Sequence, residues 1–495
     1  MARATSLDVW LYGTHIATVH DFGAAGADRP ELTWSAEAVG RWGVGSRLLS
    51  AKLPIGRAVV PALVRNYLDG LLPEGNARIN HALAVGITPD DTFGLMAAYG
   101  RDTPGAAIFT AGGQSDPTRA GHYAPLTRAE VAGRLRSADK FSPARLGETV
   151  ESSTVPGMVP KVALHRTVTA ASDTWYACKD GAASTWIVKR GVPEGNDLSD
   201  TIDTEAACLA LAHDLGLTGI QAEVVTFADD HGGVRAIAVS RYDRVIHANG
   251  TSAEGGETVS RLHQEDLAQA IGLNTADPNR KFQWGARMPS LRHAAEVLRL
   301  DGGRREQLLR LVTFAHLVGN TDMHAKNISF LRRLDGRVEL APAYDVAMHL
   351  HHEREARRFA LDVNGKYLVD EPRAAVTIDD LVAEGESWGI QGRLARSTVH
   401  HVVEDLAAAL DRVDVDRYPG VTDRAWSTVR DRVTHARSSS AAGRNSPSEE
   451  RLAPTRPPVR RGHERPAEPR RGSVVGMCWT SQRPSRTSSA AIRCA

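Results

Sequence analysis

The chain is expected to fold as an α+β protein, on three observations. A first stretch of about 110 residues mixes strand and helix periodicities, residues 126 to 248 are strand-rich with one helix, and beyond residue 260 the pattern turns helical.

In order along the chain, residues 7 to 19 alternate as a strand pair around Tyr12-Gly13-Thr14-His15, and residues 59 to 72 read as a helix ending at Leu71-Leu72-Pro73-Glu74-Gly75-Asn76. A second helical pattern, Thr92 to Tyr99, runs into Gly100-Arg101-Asp102-Thr103-Pro104-Gly105-Ala106-Ala107, after which Ile108-Phe109 reads as a strand. These elements define a first α+β domain over residues 1–112, and the Gly, Ser and Pro of residues 112 to 125 predict a linker or long loop. In the strand-rich part, 126–248, the strands are Val162-Ala163-Leu164, Thr185 to Lys189, Ala222 to Phe227 and Val234 to Tyr242. Its helix spans Asp203 to Leu215, with Thr201 or Asp203 as N-cap and Gly216 past its end. The helical part, 249–436, contains Gln264 to Ile271, Ser290 to Arg299, Arg304 to Val318 and Val399 to Leu410.

Composition narrows the class. The 495 residues carry 60 Lys plus Arg against 59 Asp plus Glu, yet residues 437–495 alone hold 12 Arg against 4 Asp plus Glu, together with 10 Ser and 7 Pro. Such a tail has too little apolar surface to offset the entropy of ordering it and is expected to be disordered. No window reaches the roughly 18 apolar residues of a membrane span, so a cytoplasmic protein with no membrane contact is expected. Cys178, Cys208, Cys478 and Cys494 form no CxxC pair, which argues against zinc and disulfide frameworks. His349, His351 and His352 beside Glu353 depart from H-E-x-x-H, and Arg354, Glu355, Arg357 and Arg358 follow, so this stretch reads as a solvated basic loop without a metal.

The densest polar stretch, Gly319-Asn320-Thr321-Asp322-Met323-His324-Ala325-Lys326-Asn327-Ile328, lies between an apolar helix and an apolar strand, where polar residues are costly unless they form a site. Asp322 and Asn327 are five apart, the offset of the base and metal-binding residues of the kinase loop H-R-D-x-x-x-x-N. A hairpin follows, Ile328 to Leu331 and Val338 to Leu340, and then Tyr344-Asp345, with Asp345 in the second metal-ligand position. Phosphoryl transfer needs a carboxylate to orient the acceptor hydroxyl and hard oxygen ligands for Mg2+. A cation must also meet the phosphates. Lys189 ends a strand as a kinase lysine does, and Glu205 shares a helix face with Cys208, Ala212 and Leu215, so it points inward toward Lys189.

With these motifs in order, the chain resembles the HipA-type toxin kinases over residues 7 to 436. The resemblance rests also on Leu71 to Asn76, Gly100 to Ala106, Thr204-Glu205, Val239-Ser240-Arg241-Tyr242-Asp243-Arg244 and His263-Gln264-Glu265-Asp266. It implies an N-terminal HipA α+β domain followed by a two-lobed protein-kinase-like domain, and a serine/threonine kinase with ATP and Mg2+ as cofactors. It implies Asp322 as catalytic base, with His324, Lys326 and Asn327 in the same catalytic loop, and Asn327 and Asp345 as metal ligands. It implies Lys189 on the phosphates, supported by Glu205, and the backbone of Ser240 to Tyr242 on the adenine. A HipB-like helix-turn-helix antitoxin, operator DNA reached through it, and a translation-related substrate such as glutamyl-tRNA synthetase are implied as well. The family's phosphate loop S-x-x-G-x-Q-x-K corresponds here to Thr154-Val155-Pro156-Gly157-Met158-Val159-Pro160-Lys161, which keeps Gly157 and Lys161. Its self-phosphorylated serine corresponds to Thr154, with Ser152 and Ser153 just before it. Pro156 and Pro160 remove two backbone donors from that loop, which leaves a kinase-like scaffold without turnover as the alternative.

Overall fold

Leu7, Val9 and Leu11 alternate with half-buried residues along β1 (Ser6–Leu11) and place one apolar face inward. β1 turns into β2 (Thr14–Asp21) through Tyr12 and Gly13, both at positive φ (52° and 75°), which is the twist a tight hairpin favours. Further on come β3 (Pro30–Trp34), α1 (Ala36–Trp42), α2 (Pro61–Gly70), α3 (Gly75–Val85), α4 (Thr92–Tyr99) and β4 (Ala107–Ala111). The sheet runs β3-β2-β1-β4, antiparallel throughout, and Leu68, Phe93 and Met96 of the helices close its core. The computed structural model describes residues 5–23, 29–113, 121–138, 159–193, 195–247, 258–283, 288–352, 358–368 and 375–442. The chain divides into Met1–Asn445 and Ser446–Ala495, and every described element belongs to the first unit.

The second sheet has six antiparallel strands. They are β5 (His122–Leu126), β6 (Lys161–Val168), β7 (Asp173–Lys179), β8 (Trp186–Arg190), β9 (Ala222–Phe227) and β10 (Val234–Ser240), in the order β5-β7-β6-β8-β10-β9. The loop expected up to residue 125 is therefore corrected: β5 begins at His122 and pairs with β7. α5 (Arg128–Ser137) seats Val131 and Leu135 with Trp175, Trp186 and Phe227 in one core. α6 (Thr201–Asp214) packs Ile202, Ala206 and Leu209 with Ile237 and Val239 in another. It starts two residues before the expected Asp203, and its N-cap residue, Asp200, makes no capping bond because its carboxylate is engaged by two histidines.

Beyond β10 lie two small antiparallel sheets. One pairs β11 (Arg244–His247) with β12 (Thr258–Arg261), and the other runs β13 (Gln264–Asp266), β14 (Ser329–Arg332) and β15 (Val338–Leu340). The helix expected over Gln264–Ile271 is in fact β13 followed by α7 (Leu267–Ile271), whose start is fixed by Asp266 and Gln269 in a reciprocal cap. α8 (Leu291–Leu300) and α9 (Arg305–Leu317) precede β14. A short hairpin, β16 (Arg358–Val363) and β17 (Lys366–Leu368), then leads to α10 (Ile378–Ser387), α11 (Gly392–Arg412) and α12 (Asp423–Ala442). α12 carries order past residue 436, so residues 437–442 are helical rather than part of a disordered tail. Residues 443–495 lie outside the described residues. No helix among the described residues is long and apolar enough to cross a membrane.

Candidate active site

β6 and β8 align Lys161 opposite Lys189, so both side chains leave the same face of the sheet. The Lys189 ammonium donates to Glu205 Oε1 at 2.7 Å and to Asp345 Oδ1 at 2.6 Å, bridging α6 to the segment after β15. The inward orientation expected of Glu205 is the one it adopts. Burial alone would lower the Lys189 pKa, but Asp345 and Glu205 outweigh it and push it up. Burial works to raise Asp345 too, and the Lys189 and Lys161 charges hold it below the usual carboxylate range. Glu205, deeper and beside Asp345, is pushed up by burial despite Lys189. Lys161 is depressed to about 8, first by burial and then by Lys189. Asp345 sits at φ 53°, a left-handed conformation that costs of order 1–3 kcal/mol for a non-glycine residue and is held only where surroundings impose it.

The polar loop up to Asn327 starts where α9 stops, at Gly319 with φ 75°. Asn320 Oδ1 accepts from the Asp322 backbone N–H at 3.1 Å, and Asn327 Nδ2 donates to the Asp322 carbonyl at 2.8 Å. The five-residue spacing thus closes the loop on itself. The Asp322 side chain is 52% exposed. His324 is buried edge-on against Phe282 and is pushed down to about 3 by burial, so it is a neutral imidazole at physiological pH. Its Nε2 lies 4.0 Å from Asp322 Oδ2, outside hydrogen-bond range. Lys326 points the other way: its ammonium pairs with Glu74 Oε1 at 3.0 Å and donates to the Gly70 carbonyl at 3.2 Å. Lys281 takes the other Glu74 oxygen at 3.1 Å.

The donor set fits Mg2+ and a polyphosphate. With its amide nitrogen spent on Asp322, Asn327 has Oδ1 left as a hard oxygen ligand. Asp345 offers a carboxylate, and Lys161 and Lys189 supply positive charge. At the hinge, residues 240–244 at the end of β10, the Ser240 N–H already donates to the Gln221 carbonyl and the Arg241 N–H to the Thr185 carbonyl, both at 2.8 Å. Tyr242 donates its hydroxyl to Gln264 Oε1 at 2.8 Å and lies 5.4 Å from the Tyr344 ring. Thr154, Ser152, Ser153 and Gly157 lie outside the described residues. One expectation is overturned: His351 and His352 are not in a solvated loop but buried, each against an oxygen of Asp200.

Comparison with known proteins follows the same outline. The HipA-like C-terminal domain family matches residues 153–411, more than half of the chain, and the HipA N-terminal domain matches residues 7–110. The chain belongs to the HipA family. Y4mE of Sinorhizobium fredii is 28% identical over 364 residues, 70% of this chain and 78% of that protein. The serine/threonine-protein kinase toxin HipA of Shewanella oneidensis is 24% identical over 376 residues, 74% of this chain and 80% of its own length. The solved complex of Shewanella oneidensis HipA with HipB and operator DNA superposes with a TM-score of 0.68 at 21% identity, covering 89% of this chain and 100% of that one. The last likeness establishes the HipA fold, N-terminal α+β domain and kinase-like part together. The enzyme class, serine/threonine kinase, is that of the Shewanella relative.

Some residues near the site carried no chemical signal in sequence. Glu74 lies in a turn motif, Lys281 in a polar stretch, and only the fold brings both to Lys326. Asp102 and Asp243 are similar. Gly105 donates its N–H to Asp243 Oδ2 at 2.7 Å, and a Cβ on Gly105 would meet the Gln264 backbone nitrogen at 2.9 Å. Two of the motifs that carried the family resemblance, residues 100–106 and 239–244, are thus halves of one contact.

Proposed function

We propose that this chain is an ATP- and Mg2+-dependent serine/threonine protein kinase acting as the toxin of a type II toxin–antitoxin pair. The observation that carries the reading is the Lys189 bridge to Glu205 and Asp345, together with a loop that presents Asp322 and Asn327. Bound Mg2+ would neutralise charge on the transferred phosphoryl group, held by Asn327 and Asp345. Asp322 accepts the hydrogen bond of the acceptor hydroxyl and orients it for attack. Lys189 is pre-aligned by Glu205, and Lys161 adds a second ammonium that a phosphate would relieve of its repulsion.

The partner in this reading is a HipB-like helix-turn-helix protein that carries the pair to operator DNA, by analogy with the solved Shewanella complex. The substrate is a translation-related protein, with glutamyl-tRNA synthetase the first to try, and Thr154 or its neighbours Ser152 and Ser153 receive phosphate in self-inactivation. A second reading, a scaffold without turnover, is favoured by Val159 and by Pro160, which offers the phosphate loop no N–H. Incubating the purified chain with labelled ATP tests both. Mg2+-dependent label on a Ser or Thr, absent in Asp322→Asn, supports the kinase; ATP binding without any transfer supports the scaffold.

A further inference from the structure

Asp200, His351 and His352 converge on one point from distant parts of the chain. His351 Nε2 lies 2.7 Å from Asp200 Oδ2, and His352 Nε2 lies 2.8 Å from Asp200 Oδ1. The ligand atoms of all three residues lie within 4.8 Å of one another. Their side chains are 5%, 4% and 10% exposed for His351, His352 and Asp200. Asp200 is the sole hydrogen-bond partner of either ring among the described residues, because both Nδ1 atoms are buried without one. The group lines a 590 Å³ cavity with Asp203, Arg235 and Gly420. Arg235 adds little repulsion there, since it is paired with Asp203 at 2.7 Å; Arg424 lines the same cavity.

We propose that Asp200, His351 and His352 form a binding site for a divalent transition-metal ion of the Zn2+ class. Two imidazoles and one carboxylate are a donor set that suits such an ion far better than Mg2+ or Ca2+. Bonds of about 2.0–2.2 Å to these atoms set neighbouring ligand atoms roughly 3.3 Å apart. The observed 2.7 and 2.8 Å contacts open to that separation with a movement of about half an ångström. Three protein ligands leave at least one coordination position, and the cavity has room for a water or a small anion in it. Asp200 immediately precedes α6, which carries Glu205, and the histidines follow Asp345 on the same segment. An ion here would staple together the two chain segments that Lys189 bridges.

The test uses the full chain, stripped of metal and kept in millimolar Mg2+ so that the phosphotransfer site does not compete. Calorimetric titration with Zn2+ should find one tight equivalent, and saturation should raise the melting temperature by about 3 °C at a hundredfold excess over Kd. The double substitution His351→Gln with His352→Gln should weaken that equivalent at least about 100-fold. Equal uptake by wild type and the double variant, or no wild-type uptake below about 100 µM Zn2+, overturns the proposal. Co2+-loaded wild type gives a readout independent of whether the variant folds. Paramagnetically shifted N–H resonances from two coordinated imidazoles support the site, and a Co2+ complex without them overturns it. None of these readings depends on kinase activity.

Discussion

At the hinge, Asp102 and Asp243 are enclosed by Arg241, Arg244 and Arg261, whereas at the candidate active site Glu205 and Asp345 are enclosed by Lys189 and Lys161. The hinge cluster is closed in the sense that the side chains of Asp102, Asp243, Arg241 and Arg244 are all buried. Arg241 forks onto both Asp243 oxygens at 3.0 and 2.9 Å and reaches Ser184, while Arg244 spans Asp102, the Gly105 carbonyl and the Thr103 carbonyl. Burial would raise Asp102, but the three guanidinium groups outweigh it and hold the carboxyl down at about 2. The site cluster stays open: the Asp345 side chain is 43% exposed, and Lys161 is pushed down to about 8. Planar arginines suit a fixed joint between the N-terminal domain and the lobes, and lysines suit a place where a charge must be exchanged for a ligand's. Buried charge alone does not mark function; the accessible Asp345 carboxylate is what distinguishes the candidate site.

The largest effect should come from the residue that belongs to neither cluster. In the proposed role, Asp322→Asn removes a carboxylate that would act mainly in the transition state, so phosphoryl transfer should fall about 10²–10⁴-fold with ATP affinity and melting temperature unchanged. A variant that transfers label at the wild-type rate would deprive Asp322 of its role.

Breaking the closed cluster should act on stability instead. Arg244→Ala removes one of the three guanidinium groups around Asp102 and the donors to the Gly105 and Thr103 carbonyls, and should destabilise the fold by about 3 kcal/mol, read from urea midpoints, while the residual folded protein keeps its ATP affinity. A midpoint within error of wild type would show that the hinge is not a structural joint.

The open cluster should show coupling of intermediate size. Lys189→Ala should weaken ATP binding and leave Glu205 unpaired, and Glu205→Gln in the same chain should return part of the lost stability. The double-mutant cycle should give a coupling of about 1–3 kcal/mol; additive melting shifts would contradict the 2.7 Å contact.

The sequence made the open cluster legible and the closed one only partly so. Lys189, Glu205, Asp322, Asn327 and Asp345 stand in kinase order, with Lys189–Glu205 and Asp322–Asn327 at spacings of 16 and 5 residues, so candidate roles could be proposed for them before any fold was known. The helix face of Glu205 followed from its apolar neighbours at offsets 3, 7 and 10. Glu74 with Lys281 and Lys326, and Asp102 with Arg244, are separated by more than 100 residues, and nothing local predicts such pairings. His351 and His352 misled for the same reason. Beside Arg357 and Arg358 they read as a solvated basic loop, and only the distant Asp200 shows that they are buried. β13 was misread because a three-residue strand capped directly into a helix is too short for its period of two to register.

The smallest effect concerns Lys161 and separates an open cluster from a closed one most directly. Its ammonium, held at about 8 against an ordinary 10.5, binds fewer protons in the folded chain than in the unfolded one between those values. Stability should therefore rise with pH from about 8 to 10.5 on this group's account, since the unfolded chain takes up the extra proton there. On the proposed placement, ATP phosphates would offset the effect of burial by setting negative charge beside the ammonium, so its pKa should climb on binding. At pH 8, where Lys161 is about half protonated, ATP should bind with uptake of close to half a proton. Calorimetric ATP titrations in two buffers of different ionisation enthalpy read that number directly. Lys161→Arg, which keeps the charge but does not titrate, should bring it near zero while preserving ATP affinity within about tenfold. Unchanged proton uptake in Lys161→Arg would assign the titration to another group and remove Lys161 from the phosphate site.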